Sequence, residues 1–169
     1  MATVGPMKSI TTWKKGATFE HVAGSAVPYV TDAVLPGAAE HERAGPTPME
    51  LLLGSMAGCS GVDLAGMLPK MRLTLLALRI AVEGERQEEH PRIFRRVHLL
   101  FEIETEPVDA RRVLRAVELS STRYCSATAT IALAAEVTYT VRYAGEEYQG
   151  RVPQLATGGE ERGDAPPAP

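Results

Sequence analysis

Two cysteines are the residues of this 169-residue sequence most able to do chemistry. Cys59 stands in GPTPMELLLGSMAGCSGVDL, with glycine before it and serine and glycine after it, and Cys125 stands in the hydroxyl-rich STRYCSATATIAL. A thiolate is a nucleophile and can be oxidised reversibly. The two cysteines are too far apart in sequence to form a CxxC metal-binding motif. A structural disulfide between them is not expected in a reducing compartment. The sequence therefore predicts free thiols or a redox pair.

Either cysteine could instead have a structural role in the core, without any chemistry at its thiol. Free cysteine often acts as a small buried hydrophobe, and Cys59 lies among apolar residues. The polar neighbours of Cys125 argue against a place in the core. A cysteine hydrolase would need a histidine beside Cys59, but the spacing of the histidines shows no such arrangement. The histidines are His21, His41, His90 and His98, and His98 lies in a strand pattern that favours a structural role.

Composition and motifs exclude several other classes of function. The formal net charge is −3, with acids and bases mixed along the chain, so we expect neither a nucleic-acid partner nor an anionic lipid surface. No apolar run approaches the roughly 18–20 residues of a membrane span, and MATVGPMKSI lacks the pattern of a signal peptide. The sequence contains no P-loop, no GxGxxG after a strand, no HExxH and no zinc-spaced Cys/His cluster. We expect a cytoplasmic protein with no membrane partner, no metal and no bound cofactor.

A long helix is predicted in the middle of the chain. It starts at the Thr47-Pro48 step, where threonine offers an N-cap and proline fits the first turn, and extends to about Leu68. Apolar residues at three- and four-residue spacing predict a buried stripe that includes Cys59. The stripe comprises Leu52, Met56, Cys59, Val62, Ala65 and Met67 or Leu68. Four glycines in the helix predict close packing against another backbone. They are Gly54, Gly58, Gly61 and Gly66.

The remaining elements predict an α+β fold with antiparallel sheets. Short β-favouring pieces form a meander over about 8–35, and two alternating strands, Leu76 to Glu83 and Arg95 to Glu104, pair as a hairpin. A second helix opens at Pro107, and AEVTYTVRY supplies a last strand. We expect one domain over 1–155, with its C-terminal half at about 75–144. A disordered tail is expected over 156–169.

Four separated motifs resemble the OsmC/Ohr superfamily, whose members include osmotically inducible protein C and organic hydroperoxide resistance protein. The motifs are GPTPMELLLGSMAGCSGVDL, KMR at 70–72, GERQEEHPRIF at 84–94 and LSSTRYCSATATI at 119–131. The match runs from roughly residue 40 to residue 140 and is most similar to the OsmC-like branch. The resemblance implies an intertwined homodimer in which antiparallel sheets surround long central helices.

The resemblance also implies a function for the two thiols. It assigns the chain to thiol-dependent peroxidases that reduce small organic hydroperoxides and are recycled by an external dithiol reductant. Cys59 matches the cysteine that attacks the O–O bond and becomes a sulfenic acid, and Cys125 matches the cysteine that resolves it into a disulfide. Asp63, one turn after Cys59, would raise the pKa of that thiol if unpaired.

The charged residues that the resemblance assigns to the site match less well. The better-known peroxidases carry a glutamate directly after the proline, where this chain has Met49, so Glu50 occupies the second acidic position. On a continuous helix Glu50 stands roughly 13 Å from Cys59, so it could reach that sulfur only across a dimer or at a helix break; alternatively it caps the helix behind Thr47. Arg43 is the candidate activating cation. Lys70, Arg72 and Arg86 are the alternatives.

Three classes of function stay open from the sequence. The first is the two-cysteine peroxidase. The second is a binding module on the same fold, in which an apolar dimer cleft holds a small hydrophobic ligand. The third is a cysteine hydrolase. The groups around the Cys59 sulfur distinguish them: a second thiol with a cation, an uncharged apolar pocket, or a histidine with a carboxylate.

Overall fold

The computed structural model describes residues 6–39 and 42–154. The chain forms two compact units, Met1–Gly54 and Ser55–Pro169, and each carries its own sheet. The boundary falls within the long helix. The expectation of one domain over 1–155 stays a prediction, and the predicted tail at 156–169 lies outside the described residues.

The first unit contains a three-stranded antiparallel meander in chain order. Its strands are β1 (Ser9–Lys15), β2 (Thr18–Ala23) and β3 (Pro28–Thr31). The buried Asp32 side chain connects the segment after β3 to β2, because it accepts hydrogen bonds from the Thr18 hydroxyl of β2 and from the backbone N–H of Ala44. The sequence prediction of a meander over about 8–35 places these strands correctly.

The long helix α1 spans Pro48–Lys70. Its first turn closes with a capping box: the Thr47 N–H donates to the Glu50 carboxylate at 2.6 Å, and the Glu50 N–H donates to the Thr47 hydroxyl at 3.3 Å. The predicted start of the helix is therefore confirmed, and its C-terminal end lies slightly beyond the expected one.

The buried face of α1 differs from the predicted stripe. The fully buried positions repeat every fourth residue and are Met56, Ser60, Leu64 and Leu68. Val62, which was assigned to the stripe, is 75% exposed, and Ala65 is also exposed. The prediction is confirmed for Met56 and Leu68 but wrong for Val62 and Ala65. Nearly every face of this helix is apolar or small, so spacing alone does not select one row.

The glycines of α1 do not mark close approaches within the chain. A Cβ atom at Gly54, Gly58 or Gly66 would meet no described atom within 4 Å. At Gly61 it would meet only the Ile80 side chain, at 3.7 Å, which is ordinary van der Waals contact. The expected close packing of these glycines against another backbone is therefore absent from the described part of this chain.

Among the described residues, α1 is also long and apolar enough to cross a membrane by length and composition, with a mean hydropathy of 1.5 over 18 residues. The sequence expectation that no segment approaches a span was wrong here. Glycine, alanine and serine interrupt the large apolar side chains of α1 without adding charge. The core helices of soluble proteins meet the same criterion, so this feature is weak support for a membrane partner. Only 22% of that segment is buried within the chain.

The second unit is built on a four-stranded sheet of order β4-β5-β6-β7. Its strands are β4 (Leu75–Arg86), β5 (Phe94–Thr105), β6 (Glu136–Tyr143) and β7 (Glu146–Arg151). The predicted hairpin of β4 and β5 is confirmed. Alternate residues of β5 and β6 face the core. The buried ones are Phe94, Val97, Leu99, Phe101, Ile103, Val137, Tyr139, Val141 and Tyr143.

The larger sheet is mixed, because β5 and β6 run parallel. The sequence predicted antiparallel sheets only. A parallel pair needs a long crossover, and here it consists of α2 (Ala110–Leu119), a π-helical turn (Ser120–Tyr124) and the short helix α3 (Ser126–Ile131). The Asp109 carboxylate caps α2 by accepting the Arg111 N–H at 2.9 Å.

Strand β7 was missed, since AEVTYTVRY was expected to be the last strand. Its sequence, EEYQGR, has no apolar alternation and so carries no strand signal. The hairpin turn before it is formed by Ala144 and Gly145, both with positive φ, which suits a tight two-residue connection.

Candidate functional site

Three potential ligand or reactive groups converge in the second unit. The sulfurs of Cys59 and Cys125 and a carboxylate oxygen of Asp63 all lie within 4.8 Å of one another. Both cysteines are free thiols; Cys59 is half-buried and Cys125 is buried, with 2% of its surface exposed. The fold therefore pairs two thiols that are distant in sequence, one of them open to solvent.

Helix α1 supplies two of these groups. Cys59 and Asp63 are one helical turn apart, so their side chains lie on the same face of the helix. The carboxylate of Asp63 is held by a hydrogen bond of 2.9 Å from the hydroxyl of Ser120, a fully buried residue. Asp63 thus has a fixed orientation beside the sulfurs.

The crossover supplies the second thiol. Cys125 is the N-cap of α3, and its sulfur accepts the N–H of Thr128 at 3.4 Å. The Cys125 backbone N–H donates to the Ser120 carbonyl at 2.9 Å, and its thiol points to the Met56 carbonyl of α1 at 3.9 Å. The expectation that its polar neighbours keep Cys125 out of the core was wrong, because Cys125 itself caps α3 and its sulfur faces α1.

The π-helical turn places Ser120 and Cys125 on the same side of the crossover. Such turns insert an extra residue into a helical path and occur frequently at functional sites. Sequence analysis did not single out Ser120. The hydroxyl-rich segment around Cys125 was visible, but nothing in it indicated which hydroxyl would meet Asp63.

The surroundings of Cys59 raise the pKa of its thiol. Burial is the largest cause, and the neighbouring Cys125 thiol and the negative charge of Asp63 act in the same direction. A hydrogen bond from the Ala127 backbone N–H lowers the pKa and offsets part of this effect. The predicted influence of Asp63 on this thiol therefore has the expected sign.

Glu50 and Arg43 lie in the first unit, where they pair with each other. The Glu50 carboxylate is 3.8 Å from the Arg43 guanidinium, and both side chains are exposed. Hydrogen bonds from the Thr47 backbone N–H and hydroxyl, and then the charge of Arg43, lower the pKa of Glu50. The capping interpretation of Glu50 is confirmed; the catalytic roles of Glu50 and Arg43 stay predictions.

The alternative cations do not act on Cys59 in the described part of the chain. Neither lysine nor arginine is among the groups that shift the pKa of this thiol. Arg86 donates to the Arg92 carbonyl at 2.6 Å, and Arg72 is exposed at a position of positive φ. Lys70 lines the same cleft as Asp63.

That cleft has a volume of 440 Å³ and lies along α1 and the crossover. Its walls are mostly apolar, with Asp63, Lys70 and the exposed Tyr124 as the polar groups. The apolar lining residues are Val62, Gly66, Met67, Met71 and Leu119. A small organic molecule in this cleft would contact Asp63, which lies beside the two thiols.

Two of the described histidines, His21 and His98, are hydrogen-bonded to hydroxyl groups. His98 is hydrogen-bonded to the Thr138 hydroxyl at 2.8 Å, which confirms its structural role, and His21 lies between the hydroxyls of Thr11 and Thr31. His41 is outside the described residues. The histidine and carboxylate required by a cysteine hydrolase are not found together at Cys59 in residues 6–39 and 42–154.

Comparison with known proteins identifies the family. The family model described as OsmC-like protein matches residues 39–140. Protein YhfA of Escherichia coli strain K12 is 30% identical over 133 residues, which cover 79% of this chain and 95% of that protein.

Solved structures share the fold. A hypothetical protein from Aquifex aeolicus is 25% identical, with a TM-score of 0.67 over 82% of this chain and 98% of its own. An organic hydroperoxide resistance protein OsmC from Legionella pneumophila has a TM-score of 0.62 at 13% identity, over 83% of this chain and 99% of its own. The α+β fold and the matched residues, which include both thiols, place this chain in the OsmC/Ohr family of OsmC-like proteins.

Proposed function

We propose that this protein is a thiol-dependent peroxidase that reduces organic hydroperoxides, with Cys59 as the attacking thiol and Cys125 as the resolving thiol. The observation that carries the proposal is that the two sulfurs lie within 4.8 Å of each other, with Cys59 half-buried and Cys125 buried. The family supports it, since the relative from L. pneumophila is named for organic hydroperoxide resistance.

The reaction proceeds in three balanced steps. The Cys59 thiolate attacks one oxygen of the O–O bond, the bond breaks, and the product alkoxide takes a proton to leave as an alcohol. Cys59 is then a sulfenic acid, and attack by the Cys125 sulfur forms a disulfide and releases water. An external dithiol reduces that disulfide by exchange and becomes a disulfide itself. No bound cofactor or metal takes part.

Backbone donors around the sulfurs favour this chemistry. The Ala127 N–H favours the thiolate form of Cys59, and the Cys125 sulfur accepts the Thr128 N–H at 3.4 Å. Burial and Asp63 act against the thiolate, so a cation is expected to assist. Arg43 and Glu50 would serve if the assembled protein brings that pair to Cys59, and we propose a cytoplasmic homodimer as that assembly.

The cleft along α1 favours an organic substrate over hydrogen peroxide. Val62, Met67 and Leu119 offer apolar surface to a hydrocarbon group, while the peroxide end would lie toward Asp63 and the thiols. A faster reaction with cumene hydroperoxide than with hydrogen peroxide is therefore expected.

The test is peroxide consumption by the reduced protein with a dithiol reductant, comparing wild type with two matched substitutions. Cys59→Ser is expected to abolish consumption and sulfenic-acid labelling, because a serine hydroxyl is too weakly ionised to attack. Cys125→Ser, reduced beforehand and assayed without the dithiol, should consume one equivalent, leave a trappable sulfenic acid at Cys59 and overoxidise with excess peroxide. Mass spectrometry of oxidised wild type should find one intrachain disulfide. Equal behaviour of the two variants would refute the proposal.

A second function is favoured by the raised pKa of Cys59 and by the apolar cleft. In that case the protein binds a small hydrophobic ligand and the thiols are incidental. Wild type would then consume no peroxide with any dithiol, and both serine variants would bind an apolar fluorescent probe as wild type does. Loss of probe binding in Val62→Glu would assign the ligand to the cleft.

A further inference from the structure

We propose that the reduced site binds one divalent thiophilic cation of the Zn²⁺ class through Cys59, Asp63 and Cys125. This inference does not rest on the peroxidase activity, since it concerns the reduced thiols in the absence of peroxide. It assigns to Asp63 a role that the thiol chemistry alone does not give it.

The distances between the three donor atoms fit a metal site. Zinc binds thiolate sulfur at about 2.3 Å and carboxylate oxygen at about 2.0–2.2 Å, so two sulfurs on one tetrahedral ion are about 3.8 Å apart. Here the three donor atoms lie within 4.8 Å of one another. Side-chain rotations that move these atoms by about 1 Å would bring them to the separations found around one zinc ion. Cys59 and Asp63 are half-buried, so an ion can enter from solvent.

Two of the three donor groups are also held by hydrogen bonds from other residues. The Thr128 N–H donates to the Cys125 sulfur at 3.4 Å, and the Ser120 hydroxyl donates to one oxygen of Asp63 at 2.9 Å. Metal ligands in proteins are commonly oriented by such outer hydrogen bonds, which also balance the charge on thiolates. The arrangement therefore resembles a preformed ligand set rather than three residues that happen to be near one another.

The donor types select the class of cation. Two thiolates favour Zn²⁺ or Cu(I), but a carboxylate suits Zn²⁺ better than the softer Cu(I), and magnesium or calcium would require oxygen ligands. Three protein ligands leave the fourth tetrahedral position for a water molecule or a small ligand. Zn²⁺ binding and peroxide attack exclude each other, because both use the Cys59 sulfur.

The experiment titrates the full-length reduced, desalted protein with Zn²⁺ under argon in competition with a chromogenic chelator, and with Co²⁺ as a spectroscopic probe. We expect one ion per chain, a thiolate-to-cobalt charge-transfer band, and protection of both thiols from a disulfide reagent. Ser120→Ala should weaken binding about 10- to 100-fold, and Asp63→Asn at least as much. Glu104→Gln, an exposed carboxylate on β5, is the matched control and should bind as wild type does.

Oxidation of wild type provides a test that needs no substitution. Forming the disulfide with diamide should abolish binding, and reduction should restore it. Absence of binding to the reduced protein would overturn the proposal, as would binding that is unchanged by Asp63→Asn or by oxidation. Because the titration contains no peroxide, a protein inactive toward hydroperoxides can still pass it, and an active peroxidase can still fail it.

Discussion

Substituting Asp63 by asparagine should make Cys59 more reactive at neutral pH. The substitution keeps the size of the side chain and removes a negative charge within 4.8 Å of the sulfur. That charge is one of the causes that raise the pKa of the Cys59 thiol, so its removal lowers the pKa and increases the thiolate population.

The size of the effect follows from the separation of the charges. Two unit charges 4.8 Å apart interact by about 0.9 kcal/mol in bulk water and by about four times as much at an effective dielectric constant near 20. Both groups are half-buried, so the bulk-water figure is the lower limit, which corresponds to about a fourfold change in the thiolate population. A less basic thiolate is also a weaker nucleophile, which offsets roughly half of this change on a logarithmic scale, so the net gain in rate is at least about twofold.

The assay is the rate of Cys59 alkylation by iodoacetamide from pH 6 to 11, followed by mass spectrometry with a chelator present. Below the thiol pKa, Asp63→Asn should react at least about twofold faster than wild type. At high pH, where both thiols are ionised, it should react more slowly because its thiolate is less basic, so the two profiles cross. Added salt should narrow the difference. Glu104→Gln is the control, and a profile for Asp63→Asn that coincides with wild type or moves to higher pH would refute the electrostatic argument.

Three further outcomes are expected. Ser120→Ala should slow the alkylation of Cys59 at neutral pH, since the neighbouring carboxylate loses the hydroxyl that partly compensates its charge; an unchanged rate would contradict this. Thr47→Ala should lower the free energy of unfolding by about 1 kcal/mol in urea denaturation. Folding lowers the pKa of Glu50, so its ionised carboxylate stabilises the cap. The difference in unfolding free energy between wild type and Thr47→Ala should therefore be largest above pH 4.5, the ordinary pKa of the group, and should decrease as the pH falls through the folded-state pKa. Val62→Glu should yield monomers by light scattering if α1 lies in the proposed homodimer interface, with Thr74→Glu as the exposed control.

The elements of this fold that depend on local pattern were predictable from the sequence. The capping box at Thr47 and Glu50 and the alternation in β4 and β5 are short-range signals, and the structure contains both. Strand β7 and the parallel pairing of β6 were not predictable in this way, because charged EEYQGR has no apolar period and strand direction is set by a crossover of three short elements.

The reactive groups of the candidate site could be predicted from the sequence, but the contacts that hold them could not. The resemblance paired Cys59 with Cys125, and helical spacing placed Asp63 beside Cys59. Nothing local could show that the π-helical turn brings Ser120 to Asp63, or that it buries Cys125 against α1. Those contacts join residues distant in the chain, so they depend on the packing of the crossover rather than on any short motif.

Asp63 has opposite effects on the two functions proposed for this site, thiol reactivity and Zn²⁺ binding. A carboxylate beside two thiols disfavours a free thiolate, because like charges repel, yet it adds a ligand for a cation that both thiolates can share. Removing its charge should therefore raise the reactivity of Cys59 and lower the affinity for Zn²⁺ in the same variant. A rise in reactivity without a loss of metal affinity would leave Asp63 as an electrostatic neighbour only. A loss of metal affinity without a change in reactivity would refute the electrostatic argument and leave Asp63 as a metal ligand only.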